Sequence, residues 1–557
     1  MQFSSNILSQ TITQLCLAKG VTQIVISPGS RNAPLIIGFT EDNLFETFSI
    51  VDERCAAFFA LGMAQQTGKP VALVCTSGSA LLNYYPAIAE AFYSDIPLVV
   101  LSADRPHSLI EIGDGQTINQ ENVYANHILY SANCVDGSDQ QQHNETEINI
   151  ALNTAIELQG PVHINLPFSE PLYDLVDDLR VRPQHVPARR IVAVSDTITS
   201  EIATLKELWD ASSKTLILIG VQKPNTISTE IIQELARDAS VVVMTETTSN
   251  IHHPAAIHAI DQLIEPFSAE NLIAFQPELL ISLGGMIVSK KVKALLRTQQ
   301  PAHHYHIDPK KAYDTYFSLS GHIKASPQYV FERLLIDPKM SESTYRSRVL
   351  EIKKDREEKH VDYLAAAPFS DFKVYEQIFK KLPKEYQLQL SNSTAIRYSQ
   401  LFKIESSIDV YCNRGTSGID GSMSTAIGAA VQTEKPVLFI TGDLSFFYDS
   451  NALWNNYIPA NFKIIVVNNS GGGIFRILPK AKTVTHFESY FETRHHLTAE
   501  HLAKQYNFNY AKATDLDSLQ QELGYLFNVS EVPTILEVFT PPEVNDQVLL
   551  DYFKKIQ

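Results

Sequence analysis

Short apolar runs recur along the whole chain, each closed by glycine, proline, serine, asparagine or aspartate. "TQIVIS", "PVALVCT" and "IPLVVLS" occupy the first third, "KTLILIG", "SVVVMTE" and "ELLISLGG" the middle, and "IDVYC", "KPVLFIT" and "FKIIVVNN" the last. Longer stretches such as "ALLNYYPAIAEAFY" separate them and carry apolar residues at helical spacing. Runs without polar alternation predict strands buried on both faces, hence parallel sheets covered by helices. The expected fold is α/β, with three doubly wound parallel-sheet domains. Residues 1–180, 190–340 and 365–557 are the expected spans. The Pro- and Arg-bearing "VRPQHVPARR" and the charge-rich helix Ser347 to His360 mark the breaks. A chain of 557 residues suits about three cores rather than one. Thr76-Ser77-Gly78 and Thr416-Ser417-Gly418 each lie between a strand and a helix, which hints at duplication of the outer thirds.

One stretch breaks the pattern. In "FSIVDERCAAFFALGMAQQTG", Phe48 to Gly68, three charged residues (Asp52, Glu53, Arg54) stand against a helix that is apolar on every side. Two effects compete at Glu53. The helix N-terminus favours its anion by about 1 kcal/mol, up to about 2 in a good site. Full burial beside Ala56, Phe58 and Phe59 disfavours the anion by as much as ~3–5 pKa units, roughly 4–7 kcal/mol. Burial wins this comparison, so a raised pKa suited to proton sharing is expected. Asp52 reads as the helix N-cap.

Charge then removes whole classes of partner. Lys and Arg number 45 against 62 Asp and Glu, a net charge of −17. The summed field repels polyanions, so neither nucleic acid nor an anionic membrane is an expected partner. No apolar run of about 18 residues predicts a membrane span. The N-terminal "MQFSSNILSQTITQLCLAKG" reads as a domain helix rather than a signal peptide. Five scattered cysteines without a CxxC predict reduced, packed thiols and a cytoplasmic protein. The pairs His252-His253, His303-His304 and His495-His496 read as surface or loop histidines, and no general acid is assigned. No G-x-G-x-x-G follows a strand, which argues against a nicotinamide dehydrogenase.

Chemistry concentrates where strands end. In "VLFITGDLS" and "IIVVNNSGG", Asp443 and Asn469 stand 26 positions apart, room for one helix and one return strand. Asp443 offers an anionic oxygen and Asn469 a neutral one, and the glycines allow a backbone carbonyl such as that of Gly471 to turn inward. Oxygen ligands of low total charge suit Mg²⁺ better than zinc, with Mn²⁺ possible. Gly442 and Ser445 sit where a helix N-terminus would offer N–H groups to a phosphate.

Taken together, "ISPGSRNAPL", "VDERCAAFFALG", "LSADRP", "NRGTSGIDG", "GDLSFFYD" and "VVNNSGGGIF" resemble the 2-succinyl-5-enolpyruvyl-6-hydroxy-3-cyclohexene-1-carboxylate synthase family of menaquinone biosynthesis. That family lies within the thiamine diphosphate enzymes. Most of that superfamily carries a second glycine where this chain has Leu444; the menaquinone enzymes share Gly-Asp-Leu-Ser. The resemblance implies thiamine diphosphate held with Mg²⁺ by Gly442, Asp443, Leu444, Ser445, Asn469 and Gly471. Ile419 would prop the cofactor into its bent shape, and Glu53 would bond its aminopyrimidine and activate it. It also implies at least a homodimer, or a dimer of dimers, with active sites between chains.

The substrates implied are 2-oxoglutarate, decarboxylated, and isochorismate, to which the succinyl carbanion adds in a 1,4 fashion. Each carries two carboxylates, for which bidentate arginine is the natural receptor. Arg31, Arg105 and Arg414 all follow apolar strands, at ends where ligands bind. Arg397, Ser393, Lys290, Gln116, Ser30, Ile474 and Phe475 match further substrate contacts of the family. An acetolactate synthase-like or other 2-oxo acid decarboxylase is the alternative enzyme reading, and a thiamine diphosphate or anion sensor the non-enzymatic one.

Overall fold

The computed structural model describes residues 2–189, 196–339, 341–478 and 480–557. The sequence-based boundaries at residues 190 and 340 fall outside these ranges.

Six strands, Gln23–Ile26, Glu46–Ser49, Val71–Cys75, Leu98–Asp104, Tyr130–Asn133 and Val162–Pro167, form one parallel sheet. In chain order they lie as second, first, third, fourth, sixth, fifth. The last sheet uses Gln387–Leu390, Asp409–Cys412, Val437–Gly442, Phe462–Asn468, Asn509–Ala513 and Thr534–Phe539 in the same order, again all parallel. Shared strand order is far stronger support for a duplicated architecture than the repeated Thr-Ser-Gly. Between them lies a five-stranded parallel sheet, Thr215–Ile219 to Leu319–Ile323. The continuous apolar strands are buried on both faces, as their lack of alternation requires. The charge-rich segment is one helix, Tyr345–Ala366, largely exposed. Among the described residues no helix is long and apolar enough to cross a membrane. All five cysteines are free and buried.

The outer sheets share one hydrophobic core. Phe58, Phe59 and Met63 of the helix Glu53–Thr67 pack with Met423, Ala426, Ile427 and Ala430 of the helix Ser422–Val431. Two glycines let these helices approach closely. A Cβ on Gly62 would stand 2.0 Å from the Thr425 carbonyl oxygen, and one on Gly428 1.9 Å from that of Phe59. Glu90, buried on the first half, accepts the backbone N–H groups of Gly415 at 2.7 Å and Thr416 at 2.6 Å. The central sheet is tied to the last one through Asn250, whose side chain bonds both N–H and C=O of Val410.

Candidate active site

In both outer sheets the strand order reverses between the first and third strands, and ligands of open α/β sheets lodge beyond the carboxyl ends at such a reversal. The last sheet sends Asp443 from its third strand and Asn469 from the adjacent fourth into this region. Asp443 is buried; its Oδ1 accepts the Leu444 N–H at 2.7 Å and its Oδ2 that of Gly471 at 2.9 Å. Asn469 donates through Nδ2 to Asp371 Oδ2 at 2.8 Å. Its Oδ1 is buried and has no partner among the described residues. A carboxylate only accepts, so Asp371 fixes the amide orientation and with it the direction of that bare oxygen.

A buried acceptor left without a donor costs about 1–3 kcal/mol. Oδ1 of Asn469 therefore calls for a ligand, and the neighbouring Asp443 carboxylate makes a hard cation the fitting one. No cluster of three or more His, Cys, Asp or Glu side chains able to hold a metal occurs among the described residues. The remaining coordination must then come from phosphate oxygens, backbone and water, which is how a diphosphate-bound Mg²⁺ is held. Gly471 sits at φ +146°, where an added Cβ would lie 2.5 Å from the Glu492 carbonyl oxygen. Ser445 donates to the Ile419 carbonyl at 2.7 Å, so the expected wedge residue is fixed to the Asp443–Tyr448 helix. The residues present fit thiamine diphosphate with a hard divalent cation.

Two neighbours of this cradle escaped sequence reasoning. Asp371 is fully buried; it accepts from Thr540 Oγ1 at 2.5 Å and its N–H donates to Asn545 Oδ1 at 2.8 Å. Burial raises its pKa to about 6, with the Asp443 charge adding. In sequence Ser370-Asp371 looks like an ordinary helix cap, and Ser370 is indeed the cap. His495 stands with Nε2 3.3 Å from Asp443 Oδ2, without hydrogen-bond geometry. The surface-or-loop reading holds for His252-His253 and His495-His496, which lie in loops although His495 lines the cradle, and is corrected for the third pair: His303 and His304 open a strand, and His304 is fully buried, bonded to Ser282 at 2.7 Å.

Glu53 opens its helix behind the Asp52 N-cap, whose Oδ1 accepts the Cys55 N–H at 3.1 Å. Its expected enclosure is not found within one chain. Glu53 is half-buried, because the buried stretch of the helix starts at Cys55 and the first turn lies at the margin of the inter-sheet contact. Among the described residues its carboxylate makes no hydrogen bond or ion pair.

The expected substrate residues fall into two groups. Arg31 and Arg105 follow the first and fourth strands of the first sheet, with the third strand, Val71–Cys75, between them. Arg31 donates to the Phe168 carbonyl at 2.8 Å and lies 3.4 Å from Glu170; Arg105 donates to the Gly115 carbonyl at 3.0 Å. Burial, and after it the Arg105 charge, pulls the Arg31 pKa down. Ser30 and Gln116 are exposed beside them, Gln116 at φ +59°. The second group is Arg397 and Arg414, with Ser393 opening the Arg397 helix at φ +68°. Arg414 donates to Asn392 Oδ1 at 2.6 Å, yet the Nε atoms of both arginines are buried without a partner among the described residues. Burial, and next the Arg414 charge, lowers the Arg397 pKa.

The central sheet supplies the wall of this second group. Glu246, fully buried, accepts the N–H groups of Val288 at 2.6 Å and Ser289 at 2.7 Å, which fixes the start of the Lys290–Thr298 helix. Burial drives its pKa to about 7 against the pull of those N–H groups. Lys293 of that helix faces Glu246, Arg414 and Arg397, whereas Lys290 is exposed. Ile474 and Phe475 follow the glycine cluster in a half-buried turn, Gly473–Ile477. Among the described residues no hydrogen bond or ion pair joins the Arg31–Arg105 group to the Arg397–Arg414 group within one chain.

Two sheets of one topology, one presenting a glutamate and the other an aspartate–asparagine cradle, define a thiamine diphosphate enzyme. Residues 7–124 match the N-terminal thiamine pyrophosphate binding domain of such enzymes, and residues 392–538 the C-terminal one. Relatives narrow this further. A 2-succinyl-5-enolpyruvyl-6-hydroxy-3-cyclohexene-1-carboxylate synthase of Flavobacterium johnsoniae is 55% identical over 99% of both chains. The enzyme of that name from Flavobacterium psychrophilum is 57% identical over 99% of this chain and 98% of its own. That of Porphyromonas gingivalis is 36% identical over 97% and 95%. The chain belongs to the 2-succinyl-5-enolpyruvyl-6-hydroxy-3-cyclohexene-1-carboxylate synthase family.

Proposed function

We propose that the protein decarboxylates 2-oxoglutarate and joins the resulting succinyl unit to isochorismate, releasing CO₂ and forming 2-succinyl-5-enolpyruvyl-6-hydroxy-3-cyclohexene-1-carboxylate for menaquinone. When bound, thiamine diphosphate supplies the acidic carbon and the electron sink that loss of CO₂ from a 2-oxo acid requires. Asp443, the Asn469 Oδ1 and the Gly471 carbonyl would hold Mg²⁺ and with it the cofactor's diphosphate end, with Gly442, Leu444 and Ser445 beside them. Ile419 would pack against the bound cofactor. Glu53 holds a proton against the aminopyrimidine nitrogen. Glu53 is half-buried with no hydrogen bond or ion pair among the described residues, which leaves it free to meet the cradle of a partner subunit in a homodimer, where burial would restore the proton-sharing role expected from sequence. Arg397 and Arg414, with Ser393 and Lys290 or Lys293, receive carboxylates; Arg31, Arg105, Ser30 and Gln116 orient the second acid, and Ile474 and Phe475 cover the site from water. Five free, buried thiols support a cytoplasmic setting.

The observation that carries this reading is the pair of buried, unpartnered Nε donors on Arg397 and Arg414. Two cationic forks left incomplete in a protein of net charge −17 describe a receptor for carboxylates. The test supplies thiamine diphosphate, Mg²⁺ and either 2-oxoglutarate or pyruvate, with and without isochorismate. CO₂ from 2-oxoglutarate, and a coupled product only when isochorismate is present, is expected. CO₂ from pyruvate alone overturns the assignment.

A further inference from the structure

The residues on both sides of Glu53 are gripped by one short stretch of chain. Asp52 Oδ2 accepts from Asn451 Nδ2 at 2.8 Å. Arg54 donates to the Tyr448 carbonyl at 2.9 Å, covers the Tyr448 ring at 5.0 Å and lies 3.8 Å from Asp449 Oδ1. Cys55 Sγ donates to Asp449 Oδ1 at 3.7 Å. Asp449 itself is fully buried and is held from the other side by Ser424, whose N–H donates at 2.8 Å and whose hydroxyl donates at 3.0 Å. It follows directly on the Asp443–Tyr448 helix, which begins at the cation cradle and fixes Ile419 through Ser445.

Glu53 has no anchor of its own among the described residues, so its direction is set by the backbone that carries it. The Gly62–Gly428 crossing fixes the axis of its helix one end away, and the Asp449 carboxylate fixes the first turn. We propose that Asp449 is a positioning residue for Glu53: by holding Arg54, Cys55 and Ser424 together it aims the glutamate that this chain offers to the cofactor. The same six-residue helix thus has a cofactor cradle at its head and the clasp on the catalytic glutamate at its tail. This inference rests on the reading of Glu53 given above.

The test uses full-length Asp449→Ala, Asp449→Asn and Ser424→Ala, each compared with the parent and with Glu53→Gln. Three quantities are read: thermal midpoint without cofactor, thiamine diphosphate affinity in Mg²⁺ by calorimetry, and the rate of exchange of the cofactor C2 proton in D₂O by quenched NMR. A displacement of about 1 Å at a reacting group can cost roughly 100-fold. Asp449→Ala is expected to slow C2 exchange about 10- to 100-fold while affinity changes less than about threefold, with Asp449→Asn recovering part of the rate. Should Asp449→Ala fail to fold, Asp449→Asn and Ser424→Ala carry the comparison, each slowing exchange by a smaller factor. Exchange at the parent rate, or exchange falling only in step with affinity, overturns the proposal. If Glu53→Gln exchanges at the parent rate, the reading of Glu53 itself fails; if Glu53→Gln abolishes exchange and the Asp449 and Ser424 variants do not slow it, only the role of Asp449 falls.

Discussion

Replacing Gly428 by alanine pits two effects of known size against each other. Alanine is better than glycine within a helix by about 1 kcal/mol, so an isolated helix would gain. Here the new Cβ would stand 1.9 Å from the Phe59 carbonyl oxygen and 2.7 Å from its carbon, both backbone atoms of the facing helix. Ordinary contact begins at 3.4 Å, so the helices must part by about 1.5 Å. No side chain can swing aside to make that room. Overpacking of this kind costs ~1–3 kcal/mol, and with backbone on the far side the upper figure applies. The net expectation is a loss of about 2 kcal/mol, seen as a lower thermal midpoint and a lower urea midpoint. Gly524, within the helix Leu516–Leu526, is the matched control: nothing lies within 4 Å of its Cβ position. Gly524→Ala should gain up to about 1 kcal/mol by the same measurements. If Gly428→Ala proves as stable as the parent, the close helix crossing is not what joins the outer sheets, and the account of how Glu53 is carried fails with it.

Three further outcomes follow. A carboxyl with a raised folded pKa binds its proton more tightly folded than unfolded, so the stabilisation from Glu246 is intact below pH 4.5 and fades as pH rises through about 7; the change is of order 3 kcal/mol, and Glu246→Gln should flatten the urea midpoint over that range. Asp371→Ala frees the Asn469 amide to turn and should weaken Mg²⁺-dependent thiamine diphosphate binding about 10- to 100-fold in calorimetric titration; unchanged affinity would show that Asp371 does not orient a ligand. Arg414→Ala and Arg397→Ala each remove a charge-assisted bond worth about 1.5–3 kcal/mol and should raise KM for the dicarboxylates roughly 10- to 100-fold, with Arg414→Lys intermediate because it keeps the charge and loses the fork; parental KM values would place the carboxylates elsewhere.

The fold was legible because its determinants are local. A strand buried on both faces announces itself as an unbroken apolar run, and each such run became a parallel strand. The cradle was legible for a related reason: Asp443 and Asn469 each follow such a strand, and adjacency of the two strands brings them to one spot. Asp371, Asp449 and Glu246 were not, because their meaning lies in partners far along the chain. Asp371 meets Asn469 across 98 positions, Glu246 meets Val288 across 42, and Asp449 meets Ser424 across 25. Nothing local separates any of them from an ordinary cap or turn carboxylate.

Glu53 shows the remaining limit. Its apolar helix implied an enclosed carboxylate, and within one chain the enclosure begins two residues later, at Cys55. Periodicity records that a surface is covered but not which molecule covers it. The first turn of this helix is clasped on the flank that carries Asp52 and Arg54 and left open at Glu53 itself, and the homodimer proposed above would place a second surface over that opening. Among the described residues the cradle keeps an unpartnered buried oxygen and Glu53 a carboxylate without a partner. Both are acceptors, so neither satisfies the other: in the homodimer proposed above, a cofactor held between the two surfaces would answer both, its cation at the Asn469 oxygen and its ring nitrogen at Glu53.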